Sequence, residues 1–307
     1  MRSRLSLGAA ILTAAALGFS VSSAAAQPSS AGLAASSQSS QMPGANHAPR
    51  YYLALGDSLA EGYQLIPGTG QVVDQGYAKD LAAVFQQEAT AEHQQFTLVN
   101  YGCGGETTTS MISGNCDAQD RGYTGAQLTA AVKFLRAHWN DSIVVTLDIG
   151  ANNVDGCVSA TGLDLQCALD GINTASTQLS TTILSELTRA AGPHTRFVGM
   201  NYYDPFLAAW LAGTTGQYLA QLSLPLGDLL NADLQADFGR YRIPVADVAS
   251  AFDTNSLTPL VPVAGQQVPE DVAQVCALTW MCVEDNIHAN DAGYQVLADA
   301  FLAQLKH

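Results

Sequence analysis

Four short stretches, far apart in the chain, carry residue types that together could transfer an acyl group. Gly56-Asp57-Ser58-Leu59 offers a hydroxyl, and Asn100 through Thr107 contains a glycine-rich turn at Gly104-Gly105. Gly150-Ala151-Asn152-Asn153 offers a side-chain amide, and Asp285-Asn286-Ile287-His288 an acid and an imidazole. A serine hydroxyl becomes a useful nucleophile only when a base takes its proton, and a neutral imidazole does so near neutral pH. Asp285, three residues before His288, has the spacing to reach Nδ1 and fix the tautomer. The backbone N–H of Ser58, an N–H at Gly105 and the Asn152 amide would then face the oxyanion of a tetrahedral intermediate. A side chain at position 105 would obstruct that approach.

Each stretch also has an ordinary structural explanation. Asp57 and Ser58 are favoured helix N-caps, Gly104-Gly105 could be a plain turn, Asn152 a loop asparagine, and His288 a surface residue before a helix capped by Asn290. The other histidines are worse placed to serve Ser58. His93 and His138 fall near helix ends, His194 in a turn before a strand, His47 outside the folded region, and His307 is the last residue.

Positioning such groups requires a scaffold that brings four distant segments to one edge. The chain alternates apolar strand-like runs (51–55, 96–101, 143–149, 196–201 and a weaker 243–248) with helical spacing over 77–92, 125–139, 168–191, 217–238 and 292–306. A break is expected at Pro225 in the fourth of these helices. The near-continuous apolar run at 143–149 is what a strand buried on both faces requires. The alternation implies a parallel sheet with right-handed crossovers and helices on both faces. Ligands in such sheets bind beyond the carboxyl ends of the strands, which is where the first three stretches fall.

Residues 1–26 read as a signal peptide: Arg2 and Arg4 precede an apolar stretch from Leu5 to Val21, then Ala24-Ala25-Ala26. Residues 27–49 are rich in Ser, Ala, Gln, Gly and Pro and read as a flexible leader, leaving one catalytic domain over 50–307. No later segment is long and apolar enough to span a bilayer. Net charge is −15, from 12 basic and 27 acidic residues, without a basic cluster, so nucleic acid is excluded as a partner. The six cysteines fall as three near neighbours, Cys103 with Cys116, Cys157 with Cys167 and Cys276 with Cys282. In an oxidising compartment these pair as local disulfides. No CxxC or HExxH occurs, so no metal is expected.

In order and spacing, these motifs resemble the SGNH, or GDSL-type, esterase and lipase family, over essentially Leu53 to Leu305. The resemblance implies a single flavodoxin-like three-layer α/β/α domain with a central parallel sheet of about five strands. It implies Ser58 as nucleophile, His288 and Asp285 as base and acid, and Ser58, Gly105 and Asn152 as the oxyanion hole, with no cofactor. The three local disulfides are similar to those of secreted actinobacterial members, some of which orient the histidine with a backbone carbonyl instead of a carboxylate. The chain departs from the family in having Asn153 after Asn152, with Asp155 later, and Gly104-Gly105-Glu106 in the second block. The resulting expectation is a secreted, monomeric carboxylic-ester hydrolase acting on small-molecule or lipid esters. The rivals are a carbohydrate acetylesterase of the same fold and a catalytically silent cell-surface binding module. Residues 201–221 are expected to wall an acyl pocket and 256–274 to cover it.

Overall fold

The computed structural model describes residues 48–306 apart from 70, 117–120, 160–161 and 264. The signal-peptide reading and nearly all of the leader lie outside the described residues. The central sheet has five parallel strands: β1 (Tyr51–Gly56), β2 (Thr97–Asn100), β3 (Ile143–Asp148), β4 (Thr195–Met200) and β5 (Val245–Ala246), in the order β2-β1-β3-β4-β5. β1 pairs with β2 on one side (Leu53 opposite Val99) and with β3 on the other (Leu53 opposite Val145). Both β1 and β3 are buried almost throughout, which explains their unbroken apolar sequences. The chain runs outward from β1 to β2 and then crosses back to β3. A crevice therefore opens at the carboxyl ends of β1 and β3, where a doubly wound sheet binds its ligands.

Helices cover both faces. Tyr77–Ala91 packs with the closing helix Asp291–Leu305, while Gln127–Ala137 packs with Leu184–Ala190, and Leu165–Gln178 with Thr214–Arg240. Their inward faces carry Leu81, Phe85, Leu297 and Phe301 on the first pair and Leu128, Leu135 and Leu187 on the second, all buried. The long helix runs through Pro225 without ending. Proline inside a helix costs about 3 kcal/mol, and the burial of Leu230 and Leu234 on the main core, with Leu226 packed against it, offsets that.

Three hairpins and a 3-10 segment, Pro205–Ala212, are added to this frame. Hairpin Leu260–Val263/Gln266–Pro269 and helix Glu270–Leu278 form a small second core, with Val268, Val272 and Val275 against Leu207 and Ala220. The structure joins Cys103 to Cys116, Cys157 to Cys167 and Cys276 to Cys282. No helix among the described residues is long and apolar enough to cross a membrane.

Candidate active site

β1 ends at Gly56, whose φ is +135°. A Cβ there would lie 1.9 Å from the Asp148 carbonyl oxygen, so only glycine lets the strand turn this close to β3. The Asp57 carboxylate accepts the Leu59 N–H at 2.9 Å and caps the one-turn helix Ser58–Glu61. Ser58 is thus the first residue of a helix held at a strand end, and it is 9% exposed.

His288 meets it from the opposite end of the sequence. Its Nε2 lies 2.8 Å from Ser58 Oγ. On the other side of the ring, Nδ1 lies 2.8 Å from Asn286 Oδ1, which also accepts the His288 backbone N–H at 3.0 Å. A backbone N–H can only donate, so the atom between them is the amide oxygen. That oxygen can receive only a proton from the ring as well, which puts hydrogen on Nδ1 and leaves Nε2 free to accept from Ser58. Asp285 does not take this position. It is exposed, sits at a left-handed φ of +51°, and makes no hydrogen bond to His288. The orienting acceptor comes from the next residue, and it is neutral.

The imidazole is stacked under Tyr63, with ring centroids 4.0 Å apart. Its loop is tied down by Trp280 N–H donating to the His288 carbonyl at 2.9 Å and Tyr203 O–H to the Ile287 carbonyl at 2.8 Å. Burial pushes the imidazole down to about 4, so His288 is neutral over the ordinary pH range and ready to take a proton.

Two donors border the same crevice, at Ser58 and Asn152, and a third lies at Gly105, next to the residue that Asn152 contacts. Asn152 Nδ2 gives one hydrogen to the Glu106 carbonyl at 3.0 Å, leaving its second free and fixing the amide beside the glycine turn. Among the described residues the backbone N–H groups of Ser58 and Gly105 have no acceptor. Gly105 has φ +75° and open space where a Cβ would lie. Its left-handed backbone requires glycine here; a clash does not.

Much of the supporting structure lies in residues that the motifs do not point to. Gln127, 1% exposed, accepts from Gly56 N–H at 2.8 Å, donates back to the Gly56 carbonyl at 2.9 Å and reaches Glu106 Oε2 at 3.1 Å. It ties the end of β1 to the glycine-rich turn. Asn153 holds Thr108 through two hydrogen bonds, at 3.1 and 2.9 Å, steadying the segment after that turn. Beneath Ser58, Asp57 and Asp148 form a buried carboxyl pair with no basic partner. Tyr202 O–H donates to Asp57 at 2.8 Å, Tyr77 O–H to Asp148, and Ala60 N–H to Asp148 at 3.1 Å. Burial raises both carboxyls, and the Asp57 charge raises Asp148 further, so each favours its protonated form more than a free carboxyl does. An acid ending an otherwise apolar strand was the available clue to Asp148.

A cleft of about 100 Å³ runs from Ser58, Asn152 and His288 between the helices. Its walls include Val154, Val158, Leu163, Ile172, Leu226 and Leu230, with Tyr202 to Phe206 at one side. No described residue of 256–274 borders it; the segment contributes Leu257, Val261, Val263, Val268, Val272 and Ala273 to the second core, so the expected cover is not found among the described residues.

The sequence pattern of GDSL-like lipases and acylhydrolases matches residues 54–296, from β1 into the closing helix. This chain belongs to the GDSL-like lipase/acylhydrolase family. It is an ester hydrolase of that family. Among solved structures it is similar to the acetylxylan esterase Axe2 of Geobacillus stearothermophilus, at 17% identity and a TM-score of 0.51 over 84% of this chain and 94% of that one. A putative GDSL-like lipase from Parabacteroides merdae is similar at 14% identity and a TM-score of 0.50, over 84% of this chain and 96% of that one. At these identities the likeness is one of fold. Among curated proteins none matches.

Proposed function

We propose that this GDSL-like hydrolase is an exported, monomeric serine carboxylic-ester hydrolase working through an acyl-enzyme on Ser58. The observation that carries the reading is the 2.8 Å approach of Ser58 Oγ to His288 Nε2, with Nδ1 engaged by Asn286 at 2.8 Å. Ser58 Oγ attacks the ester carbonyl carbon as its proton passes to Nε2. The oxyanion is met by the Ser58 and Gly105 N–H groups and the free Asn152 hydrogen. The imidazolium returns its proton to the departing alcohol, leaving the acyl group on Ser58. Water then attacks the acyl carbon, gives a proton to Nε2, and the acid leaves as Ser58 is reprotonated. Serine, imidazole and amide donors carry every step.

The apolar lining of the cleft supports acyl chains longer than acetyl, and so an esterase or lipase ahead of a carbohydrate acetylesterase. Export is supported by the charged-then-apolar N-terminal sequence and the three disulfides. The test is hydrolysis of p-nitrophenyl esters from acetate to palmitate by the mature protein beside Ser58→Ala and His288→Ala. Activity lost in both variants with circular dichroism unchanged is expected. Activity surviving in Ser58→Ala would remove the acyl-enzyme from consideration, and folded wild-type protein inert on every ester would favour a binding module.

A further inference from the structure

The acyl cleft is not wholly apolar. Asp155 borders it three residues after Asn152 on the one-turn helix Asn152–Asp155. That spacing puts the two side chains on one helix face, with Cβ atoms roughly 5–6 Å apart. The Asp155 backbone N–H donates to the Ala151 carbonyl at 3.0 Å, while its partly exposed carboxyl, on the cleft wall, has no hydrogen-bond partner among the described residues. Asp204 borders the same cleft and is 8% exposed. Its Oδ1 caps the Phe206 N–H at 2.9 Å, but its Oδ2 meets no donor. The Ser223 hydroxyl donates to the Ala220 carbonyl at 3.1 Å, and its proximity offsets only part of what burial does to Asp204. Among the described residues no lysine or arginine borders the cleft. Burial, helped by the charges of Asp57 and Asp204, pushes Asp155 up to about 7, and burial pushes Asp204 up to about 6.

Asp57 needs no further partner, being held by Leu59, Tyr202 and Asp148. Asp155 and Asp204 are different. A carboxylate removed from water without a counter-charge is unfavourable by several kcal/mol, and among the described residues no basic side chain borders the cleft to offset either charge when a substrate displaces that water. A fatty acyl chain would leave both facing hydrocarbon. A chain carrying a cationic donor would satisfy them while its methylenes cover Val154, Val158 and Leu163.

We propose that the cleft selects acyl groups bearing an ammonium a few bonds from the ester carbonyl, with Asp155 as the specificity-determining residue and Asp204 supporting it. The assignment rests on the esterase reading for its catalytic step, but the cation site itself does not require turnover.

The test pairs esters of equal length: p-nitrophenyl butanoate to octanoate, their ω-hydroxy analogues and their ω-ammonio analogues. Wild type, Asp155→Asn and Asp204→Asn are assayed together, with Ser58→Ala as the blank. Charge-assisted hydrogen bonds predict an ammonio preference of roughly tenfold to a hundredfold in kcat/KM at the best length, expressed mainly in KM. Asp155→Asn should lose most of that ratio, and Asp204→Asn, which keeps the cap on Phe206, part of it. Calorimetry with hexylammonium against hexanol checks the site without catalysis: wild type should bind the cation more tightly, and Asp155→Asn should not. If no ester is hydrolysed while hexylammonium still binds through Asp155, the esterase reading fails and the cation site stands. Plain or hydroxylated chains equal to ammonio chains in wild type, or an ammonio preference untouched by Asp155→Asn, would overturn the proposal.

Discussion

Replacing Asn286 by aspartate changes the charge that faces His288 while keeping an oxygen where Nδ1 needs one. In the native site the ring meets only a neutral amide, and burial holds its pKa down to about 4. A carboxylate in contact with an imidazole commonly raises its pKa by about 1–3 units, which is roughly 1.4–4 kcal/mol of preference for the imidazolium. The free-enzyme acid limb of kcat/KM should therefore move from about 4 to roughly 5–7. The sign follows from the role of His288 as base: activity is present where the ring is neutral and is lost as pH falls through its pKa. The same carboxylate would stabilise the imidazolium formed during attack, so the plateau should equal or exceed the native one. Asn286→Ala should act differently. It leaves a buried N–H without an acceptor and the tautomer unfixed, at about 1–3 kcal/mol, or roughly tenfold to a hundredfold in kcat. Asp285→Ala should remain near native. The assay is p-nitrophenyl ester hydrolysis in buffers from acid to neutral, quenched into alkali for reading, with circular dichroism to confirm folding at each pH. Coincident acid limbs for Asn286→Asp and native protein, or equal losses in Asp285→Ala and Asn286→Ala, would refute the assignment of Asn286 as the orienting group.

Gln127→Ala strips three buried hydrogen bonds between Gly56 and Glu106, and should destabilise the protein by about 2–5 kcal/mol in urea unfolding. Gln127→Glu keeps the bond to the Gly56 N–H but faces Glu106 with a second acid, so its kcat should fall more at high pH than at low. Gly105→Ala places a side chain in open space on a left-handed backbone, at about 1–2 kcal/mol. It should lower kcat more than it raises KM, and an unchanged kcat would separate Gly105 from the oxyanion. The Asp57–Asp148 pair has folded pKa values above the unfolded ones. The folded state then binds more protons, so stability falls as pH rises from the unfolded carboxyl range through the folded values. Asp148→Asn should flatten that decline in unfolding free energy measured across pH. A decline of the same slope in the variant would mean that the pair does not carry that pH dependence.

The central strands were legible because burial on both faces writes itself as continuous apolar sequence, and 143–149 is the clearest example. The observed β5 is only Val245–Ala246, within an expected 243–248, because just those residues pair with Gly199 and Met200. Hairpins such as Tyr63–Ile66 with Gln71–Asp74 escaped for the opposite reason. Their exposed faces, including Val72 and Val73, impose no alternation. The four blocks could be picked out because, ordinary as each is alone, they fall in order at successive strand ends and before the closing helix, and the structure brings Ser58 and His288 together. What faces His288 Nδ1 could not be found that way. Asp285 and Asn286 are adjacent acceptors, and spacing permits either. The choice is made by backbone dihedrals: Asp285 adopts a left-handed φ, while Asn286 folds back onto its own loop to accept the His288 N–H. That one local turn exchanges a charged partner for a neutral one. It thereby decides whether the base of this esterase titrates near 4 or above it, a property no strand pattern encodes.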